Sequence, residues 1–251
     1  VEEIDKRGIK LSVIGVPKTI DNDINFIAKS FGFATTVAKA TEAIRSAHVE
    51  ALSVNNGVGL VKLMGREAGF IAAEATLATS EVNFLLVPEQ PFELKGKHGL
   101  LMALERRLLK KKHALVVVAE GAGQEHTKKS SSTHYGNPNL GDIGGTLIKE
   151  FKNHFKQRNI ELYMKYIDPS YIVRSIPANA GDRVYASFLG QHAVHAAMAG
   201  KTGMVVAQVK SSMVHLPLEL VTNKRRVLNT KSAYFQSVME TTDQEYYFNN
   251  A

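Results

Sequence analysis

The stretch Leu11–Asp23, LSVIGVPKTIDND, decides the fold because a short apolar segment changes abruptly into a polar turn. Residues 11–16 are rich in Val, Ile and Leu, which is typical of a buried strand. Similar segments follow at Val58–Met64, Phe84–Val87, Ala114–Ala119 and Met204–Val209. The sequence therefore predicts five short buried strands.

Helical patterns separate these strands. Phe33, Val37, Ala40, Ile44 and Ala47 recur at spacings that place them on one face of an amphipathic helix. Similar patterns occur at residues 100–109, 145–155 and 185–198. The alternation predicts an α/β protein with a mainly parallel sheet.

Ligands of such proteins bind in the crevice beyond the carboxyl ends of the strands. We therefore expect site residues directly after the apolar segments. These positions are residues 17–23, 65–67, 88–89 and 120–121.

The composition excludes several classes of protein. The 251 residues include no cysteine, which excludes a disulfide framework, a Cys-ligated zinc site and a thiolate nucleophile. No segment approaches the roughly 18 consecutive apolar residues of a membrane-spanning helix. The first residues lack the apolar core of a signal peptide. We expect a cytosolic protein with no membrane partner.

The net charge of +7 could indicate nucleic acid or small anionic substrates such as sugar phosphates. The densest group of cations, Arg106, Arg107 and Lys110–Lys112, lies on a predicted helix just before a strand. Aromatic residues are not interleaved with these cations, as a platform for stacking bases would require. We interpret the group as a solvated helix end and expect no nucleic-acid partner.

The turn Pro17–Asp23 combines two carboxylates, a hydroxyl, an amide and an ammonium group. Phosphoryl transfer to a sugar hydroxyl needs a carboxylate that accepts the proton and acidic groups that hold Mg²⁺. Asp21 and Asp23 suit these two tasks, and Lys18 can neutralise charge on the moving phosphoryl group. The residues alone are equally consistent with an Asx-type turn, in which Asp21, Asn22 and Asp23 cap backbone amides.

The segment PKTIDND resembles the substrate signature of the phosphofructokinase family, P-G/K-T-I-D-N-D. The resemblance continues in order along nearly the whole chain. It includes residues 32–35 (GFAT), 62–69 (KLMGREAG), 118–121 (VAEG), 166–174 (YIDPSYIVR) and 192–203 (HAVHAAMAGKTG).

The resemblance implies two similar three-layer lobes with mainly parallel sheets and an active site between them. Residues 1–50 and 175–235 would form the donor-side lobe, and residues 51–174 the lobe that binds the sugar phosphate. Residues 236–251 would be a C-terminal tail. The family also implies a homo-oligomer, a dimer or a tetramer.

The implied reaction is phosphoryl transfer from ATP to the 1-hydroxyl of fructose 6-phosphate, which gives fructose 1,6-bisphosphate. By resemblance, Asp21 is the general base, Lys18 and Arg66 are also catalytic, and Asp23 faces Mg²⁺. The implied substrate-binding residues are Thr19, Ile20, Asp21, Met64, Gly65, Arg66, Glu120, Lys165, Tyr171, Ile172, Val173 and Arg174.

Two of these residues have a simpler interpretation from the sequence alone. Arg66 offers a planar fork that suits phosphate oxygens, but it could be a surface arginine at a strand end. Glu120 could accept hydrogen bonds from sugar hydroxyls, or it could be a carboxylate at a helix N-terminus.

The phosphate-binding stretch departs from the short bacterial enzymes, which have a histidine and an arginine in an H-I-Q-R-G-G segment. Tyr171 and Arg174 stand at the matching positions. Two arginines that those enzymes contribute across a subunit interface align with Gly57 and Lys165, of which only Lys165 can keep a phosphate contact. The pattern resembles the longer phosphofructokinases of plants and trypanosomatids and the related bacterial ones.

The sequence does not contain the G-G-D segment that distinguishes ATP-dependent from pyrophosphate-dependent family members. We expect ATP, because the long ATP-dependent enzymes also have lysine at the position of Lys18. Pyrophosphate is the alternative donor, and a non-catalytic sugar-phosphate-binding subunit is the alternative role. The helical opening at residues 1–7, ending at Gly8, further suggests that sequence precedes Val1.

Overall fold

The computed structural model describes residues 1–127, 140–242 and 244, together with the backbone of residues 133–134 and 137–138. The helices are α1 (Glu2–Lys6), α2 (Phe33–Leu52), α3 (Phe70–Thr79), α4 (Leu100–Lys111), α5 (Ile143–Gln157), α6 (Ala180–Met198), α7 (Leu218–Thr222) and α8 (Ala233–Thr242). The strands are β1 (Ile14–Gly15), β2 (Gly57–Leu63), β3 (Phe84–Leu86), β4 (His113–Ala119), β5 (Thr133–His134), β6 (Asn137–Pro138), β7 (Tyr163–Ile167), β8 (Met204–Val209) and β9 (Ser212–Pro217). Short 3₁₀ helices lie at Gln124–His126 and Ile172–Arg174.

The chain divides into two compact units. The first contains residues 1–36 and 176–226, and the second contains residues 37–175 and 227–251. The lobe boundaries expected from the sequence differ, because residues 37–50 and 227–235 belong to the second unit. The reason is packing. Helix α2 lies so close to β2 that a Cβ at Gly57 would collide with the carbonyl oxygen of Ala51, and α8 packs on α3.

The first unit contains a three-stranded sheet in the order β1-β8-β9. Strand β1 runs parallel to β8, and β9 returns antiparallel to it. The predicted strand at residues 11–16 shortens to two residues because Val13 donates its N–H to the Thr202 hydroxyl, at 3.0 Å, and Pro17 has no N–H. One core cluster of this unit is formed by Ile27, Val205, Ala207 and Val221.

A buried carboxylate joins the starts of two helices in the first unit. Asp182 accepts hydrogen bonds from the N–H and the hydroxyl of Thr35, at 2.8 and 2.6 Å. The side chain of Asn179 caps α6 through the N–H of Asp182, at 2.8 Å. These bonds satisfy amide groups that a helix start leaves without intrahelical partners.

The second unit contains a four-stranded sheet in the order β3-β4-β2-β7, parallel throughout. This arrangement confirms the predicted α/β class and mainly parallel sheet. The core on one face includes Val58, Leu60, Val116 and Val118 of the central strands, packed against side chains of α4 and α5. Strand β7 escaped prediction because it is an edge strand with exposed Tyr163 and Lys165.

Three further sequence predictions can be compared with the structure. The predicted polar loop at residues 123–141 lies largely outside the described residues. The cation group at residues 106–112 lies at the end of α4. Among the described residues, no helix combines the length and the apolar character that a membrane crossing requires.

Candidate functional site

In the first unit, the turn at residues 17–23 follows β1 directly. Asn22 is 5% exposed and adopts the left-handed conformation, with a φ of 56°, which asparagine tolerates better than most residues. Its side-chain oxygen accepts a hydrogen bond from the N–H of Ser30 at 2.9 Å. The Ser30 hydroxyl in turn donates to the carbonyl of Thr19 at 2.7 Å. Asn22 and Ser30 therefore hold the shape of this turn.

The capping interpretation of the turn holds for Asn22, whose side chain accepts the N–H of Ser30. The N–H of Asp21 donates to the hydroxyl of Thr19 at 3.2 Å, and that hydroxyl lies 3.5 Å from Oδ1 of Asp23. Asp21 and Asp23 are both half-buried, whereas Lys18 is exposed. The turn thus gathers two carboxylates, a hydroxyl and an ammonium group within one short segment.

A cavity of about 380 Å³ lies beside Asp23 within the first unit. Its lining includes Gly15, Pro17, Lys224 and Arg225. In the described part of the chain, no three His, Cys, Asp or Glu side chains are grouped so that they could hold a metal ion. A single carboxylate, such as that of Asp23, is compatible with Mg²⁺, which is commonly bound through one or two carboxylates together with waters and substrate phosphates.

In the second unit, the turns after β2 and β4 meet at the carboxyl edge of the sheet. Glu120 donates its N–H to the carbonyl of Leu63 at 2.9 Å, and Gly121 donates to that of Gly65 at 3.1 Å. Gly65 has a φ of 137°, which favours glycine, and a Cβ at Gly121 would collide with the carbonyl oxygen of Arg66. The structure therefore brings Met64, Gly65, Arg66 and Glu120 together.

Opposing influences act on the pKa of the Glu120 carboxylate. Burial raises its pKa, whereas the charges of Lys62 and Arg66 and a hydrogen bond from the Gly65 N–H act in the opposite direction. Residues 120–123 form a turn rather than the start of an α-helix, which removes the alternative role as a helix N-terminal carboxylate. A half-buried carboxylate at a strand end can accept hydrogen bonds from ligand hydroxyls.

Sequence reasoning missed Lys62 and Asp168, although both lie within quoted motifs. Lys62 Nζ lies 2.8 Å from Asp168 Oδ2. Burial alone would lower the pKa of Lys62, but the hydrogen bond to Asp168 and the proximity of Tyr166 raise it. The sequence contained a signal for this pair. Lys62 shares one face of a buried strand with Val58 and Leu60, and a lysine in such a position needs a charged partner.

The predicted phosphate-binding stretch folds into a short 3₁₀ helix, residues 172–174. The Arg174 guanidinium lies over the ring of Tyr171, 5.5 Å from its centroid, and Tyr171 is 81% exposed. Ile172 is also exposed. Val173 is only 4% exposed and packs inward, and its contact with a substrate stays a prediction.

Lys165 is separate from this group within the second unit. It lies in the middle of β7, opposite Gly59, and its Nζ is 3.2 Å from Glu50 Oε2 on α2. Gly57, which aligns with the other missing arginine, has no room for a side chain against α2. The contact of Lys165 with a phosphate stays a prediction.

Glu89 is a further residue that sequence reasoning did not assign, although its segment was predicted as part of the site. Its carboxylate accepts hydrogen bonds from the N–H of Gly69, at 3.0 and 3.1 Å, and from the N–H of Leu228 at 2.8 Å. Burial raises its pKa, and these backbone hydrogen bonds lower it. Glu89 therefore ties the end of the segment 64–69 to the start of the segment 227–232.

Comparison with known proteins gives the same family as the sequence motifs. A family model described as phosphofructokinase matches residues 1–197. The chain is 46% identical to an ATP-dependent 6-phosphofructokinase of Borreliella burgdorferi, over 97% of this chain and 56% of that protein. It is 43% identical to an ATP-dependent 6-phosphofructokinase of Trypanosoma brucei brucei, over 96% of this chain and 50% of the relative. The chain thus spans about half the length of the curated relatives that it matches.

Solved structures share the fold at lower sequence identity. A pyrophosphate-dependent phosphofructokinase from Marinobacter aquaeolei matches with a TM-score of 0.72 and 23% identity, over 96% of this chain and 62% of that chain. One from Nitrosospira multiformis matches with a TM-score of 0.70 and 22% identity, over 98% and 64%. At this identity the likeness concerns the fold alone.

Proposed function

Because this chain belongs to the phosphofructokinase family, we propose that it provides the acceptor side of phosphoryl transfer from ATP to the 1-hydroxyl of fructose 6-phosphate. The observation that carries the proposal is the turn at residues 17–23. There Asn22 and Ser30 hold the backbone of the turn, and we assign Asp21 as the general base because residues 17–23 resemble the family's substrate signature. The products are ADP and fructose 1,6-bisphosphate.

The proposed chemistry begins with Asp21, which accepts the proton of the 1-hydroxyl as that oxygen attacks the γ-phosphorus of ATP. The new oxygen–phosphorus bond forms while the bond to the leaving ADP oxygen breaks. Lys18 and Arg66 stabilise the negative charge that spreads over the equatorial oxygens of the moving phosphoryl group. Such transfers depend mainly on positioning and electrostatic stabilisation.

In the second unit, the proposed sugar-binding residues lie at the carboxyl edge of the sheet. Glu120 accepts hydrogen bonds from sugar hydroxyls, and Arg174 pairs with the 6-phosphate beside the Tyr171 hydroxyl. Arginine suits this task because its planar fork matches phosphate oxygens. Met64, Gly65, Ile172 and Val173 contribute contact and shape there, with Lys165 as a further phosphate ligand. In the first unit, Thr19 and Ile20 are proposed as further substrate contacts.

We propose that Mg²⁺ is held by Asp23 together with donor phosphates. The ion neutralises phosphate charge when it is bound. The half-buried carboxylate of Asp23, beside a cavity of about 380 Å³, supports this assignment.

ATP is the proposed donor because the relatives named above at 43% and 46% identity bear the name ATP-dependent 6-phosphofructokinase. Pyrophosphate is the alternative, since pyrophosphate-dependent enzymes share the fold. The test is an assay of the full-length protein with fructose 6-phosphate and either Mg-ATP or Mg-pyrophosphate, with fructose 1,6-bisphosphate as the measured product. Product from ATP alone supports the proposal, and product from pyrophosphate alone overturns the choice of donor.

The second candidate is a non-catalytic sugar-phosphate-binding subunit, because the chain spans only about half of its relatives. Calorimetric binding of fructose 6-phosphate with no product from either donor would favour it. A homo-oligomer, either a dimer or a tetramer, is part of the proposal and can be measured by light scattering. Cytosolic location stays a prediction, and a relative from Arabidopsis thaliana bears the word chloroplastic in its name.

A further inference from the structure

We propose that Lys62 is a positioning residue that orders two parts of the sugar-phosphate site, the segment Asp168–Arg174 and the carboxylate of Glu120. The inference rests on the proposed function for its kinetic consequences. Its structural part, the ordering of residues 168–174, can be measured whether or not the protein transfers phosphate.

The sheet register places Lys62 between the two acidic residues. Val61 lies opposite Ile167 of β7, so the next residues, Lys62 and Asp168, continue the same register beyond the end of β7. On the other side, Lys62 is paired with Val118 of β4. Glu120 comes two residues after Val118, and side chains two residues apart on a strand share a face. Lys62, Asp168 and Glu120 therefore lie on one face of the sheet.

The ion pair of Lys62 with Asp168 is partly shielded from water. The Lys62 side chain is 19% exposed and the Asp168 side chain 33%, and Nζ and Oδ2 are 2.8 Å apart. The pKa of Asp168 is low because hydrogen bonds from Lys62 and Ser170 outweigh the effect of burial. Removal of one partner from a half-buried pair of this kind costs more stability than removal of one partner from a surface pair. The reason is that the remaining charge then has no compensation.

Asp168 in turn positions the phosphate-binding stretch through hydrogen bonds. Its other oxygen, Oδ1, accepts the N–H of Ser170 at 3.1 Å, which closes the turn before the 3₁₀ helix. The carbonyl of Ser170 accepts a hydrogen bond from Nε of Arg174 at 3.3 Å. Arg174 lies over Tyr171. A continuous series of contacts therefore connects Lys62 with the two residues proposed to bind the 6-phosphate.

Lys62 also acts on Glu120 through its charge. Burial raises the pKa of Glu120, and Lys62 is the largest of the influences that lower it, followed by Arg66, while Asp168 raises it. Without Lys62 the pKa of Glu120 rises further. Glu120 is proposed to bind sugar hydroxyls as a carboxylate. Without Lys62, the loss of affinity for fructose 6-phosphate on acidification would therefore begin at a higher pH.

The kinetic test compares Lys62→Met, Asp168→Asn and the double variant in the full-length protein. We expect each single variant to raise KM for fructose 6-phosphate about tenfold, with kcat changed less than about threefold, and the double variant to add little. Lys62→Arg should restore most of the affinity. Lys95→Met is the control, because Lys95 is 77% exposed and pairs loosely with Glu150 at 3.6 Å. Additive effects of the two single variants would overturn the proposal.

The pH profile separates positioning from a general loss of structure. In Lys62→Met, the acidic limb of kcat/KM should move to higher pH, whereas in Asp168→Asn it should move to lower pH or stay in place. A merely unfolded fraction of the protein would reduce activity without moving this limb. A limb at the same pH in the wild type and in Lys62→Met would contradict the influence on Glu120.

Hydrogen exchange provides a test that does not need activity. In Lys62→Met and in Asp168→Asn, the amide of Ser170 should exchange at least tenfold faster, with the amides of β2 and β4 unchanged. Unchanged exchange at Ser170 would overturn the inference even in an active enzyme. Faster exchange in a protein without phosphoryl transfer would sustain the structural part and refute the proposed function instead.

Discussion

Each unit contains one group of candidate site residues, and the two groups are built in different ways. The turn at residues 17–23 is local, because its shape depends on hydrogen bonds among residues close in sequence, such as Asn22 with Ser30. The carboxyl edge of the second-unit sheet is assembled from Lys62, Glu120 and Asp168, which are distant in sequence and adjacent through strand register. A local turn leaves a recognisable motif, whereas an assembled edge leaves only scattered polar residues.

This difference has a consequence for mutations. A change in the local turn should affect either the reacting groups or the stability of that turn. A change at the sheet edge should affect the affinity for the sugar phosphate through several residues at once, because charges there influence one another. The following predictions test this contrast.

The largest effect is expected from Asp21→Asn, because the amide cannot accept the hydroxyl proton as a carboxylate does. We predict that kcat falls by about 10²–10⁴-fold, with a KM for fructose 6-phosphate within about threefold of the wild type. Steady-state kinetics of the full-length protein measure both values. Asp5→Asn on α1 is the control, and near-normal turnover in Asp21→Asn would reject the assignment of the base.

An intermediate effect is expected from Glu120→Gln. Removal of the charge should weaken hydrogen bonds to sugar hydroxyls and raise the Kd for fructose 6-phosphate about 10–100-fold. Burial raises the pKa of Glu120, so wild-type affinity should decline as the pH falls through this raised pKa and the carboxylate is protonated. Glu120→Gln should lack this acidic limb. Calorimetric titration with fructose 6-phosphate across pH 4–8 can check both parts, and an acidic limb that persists would assign it to another group.

The smallest effect is expected from Asn22→Gly, which keeps the left-handed conformation but removes the hydrogen bonds of the side chain. We predict a loss of about 1–2 kcal/mol in the free energy of unfolding, measured with urea. Asn22→Ala should lose about 1 kcal/mol more, because alanine does not readily adopt a φ of 56°. Equal stability of the two variants would show that backbone strain contributes nothing at this position.

Much of the fold could be predicted from the sequence. The segment predicted at Met204–Val209 forms β8 over the same residues. The buried strands β3 and β4 differ from their predictions by one residue at one end, and β2 differs by one residue at each end. These strands lie in the interior, where continuous apolar segments are a strong signal. Strands β7 and β9 escaped prediction, because at the sheet edges exposed residues such as Lys165 and His215 interrupt the apolar pattern.

The sequence alone determined the local chemistry of this protein. It identified the α/β class, the turn at residues 17–23 and the polar strand ends at Arg66 and Glu120, because these signals lie in short contiguous segments. Only the tertiary structure decided that Lys62 pairs with Asp168, that Glu89 ties two segments and that Val173 packs inward. Strand register and side-chain burial depend on contacts between residues distant in sequence, and a local pattern does not encode these contacts.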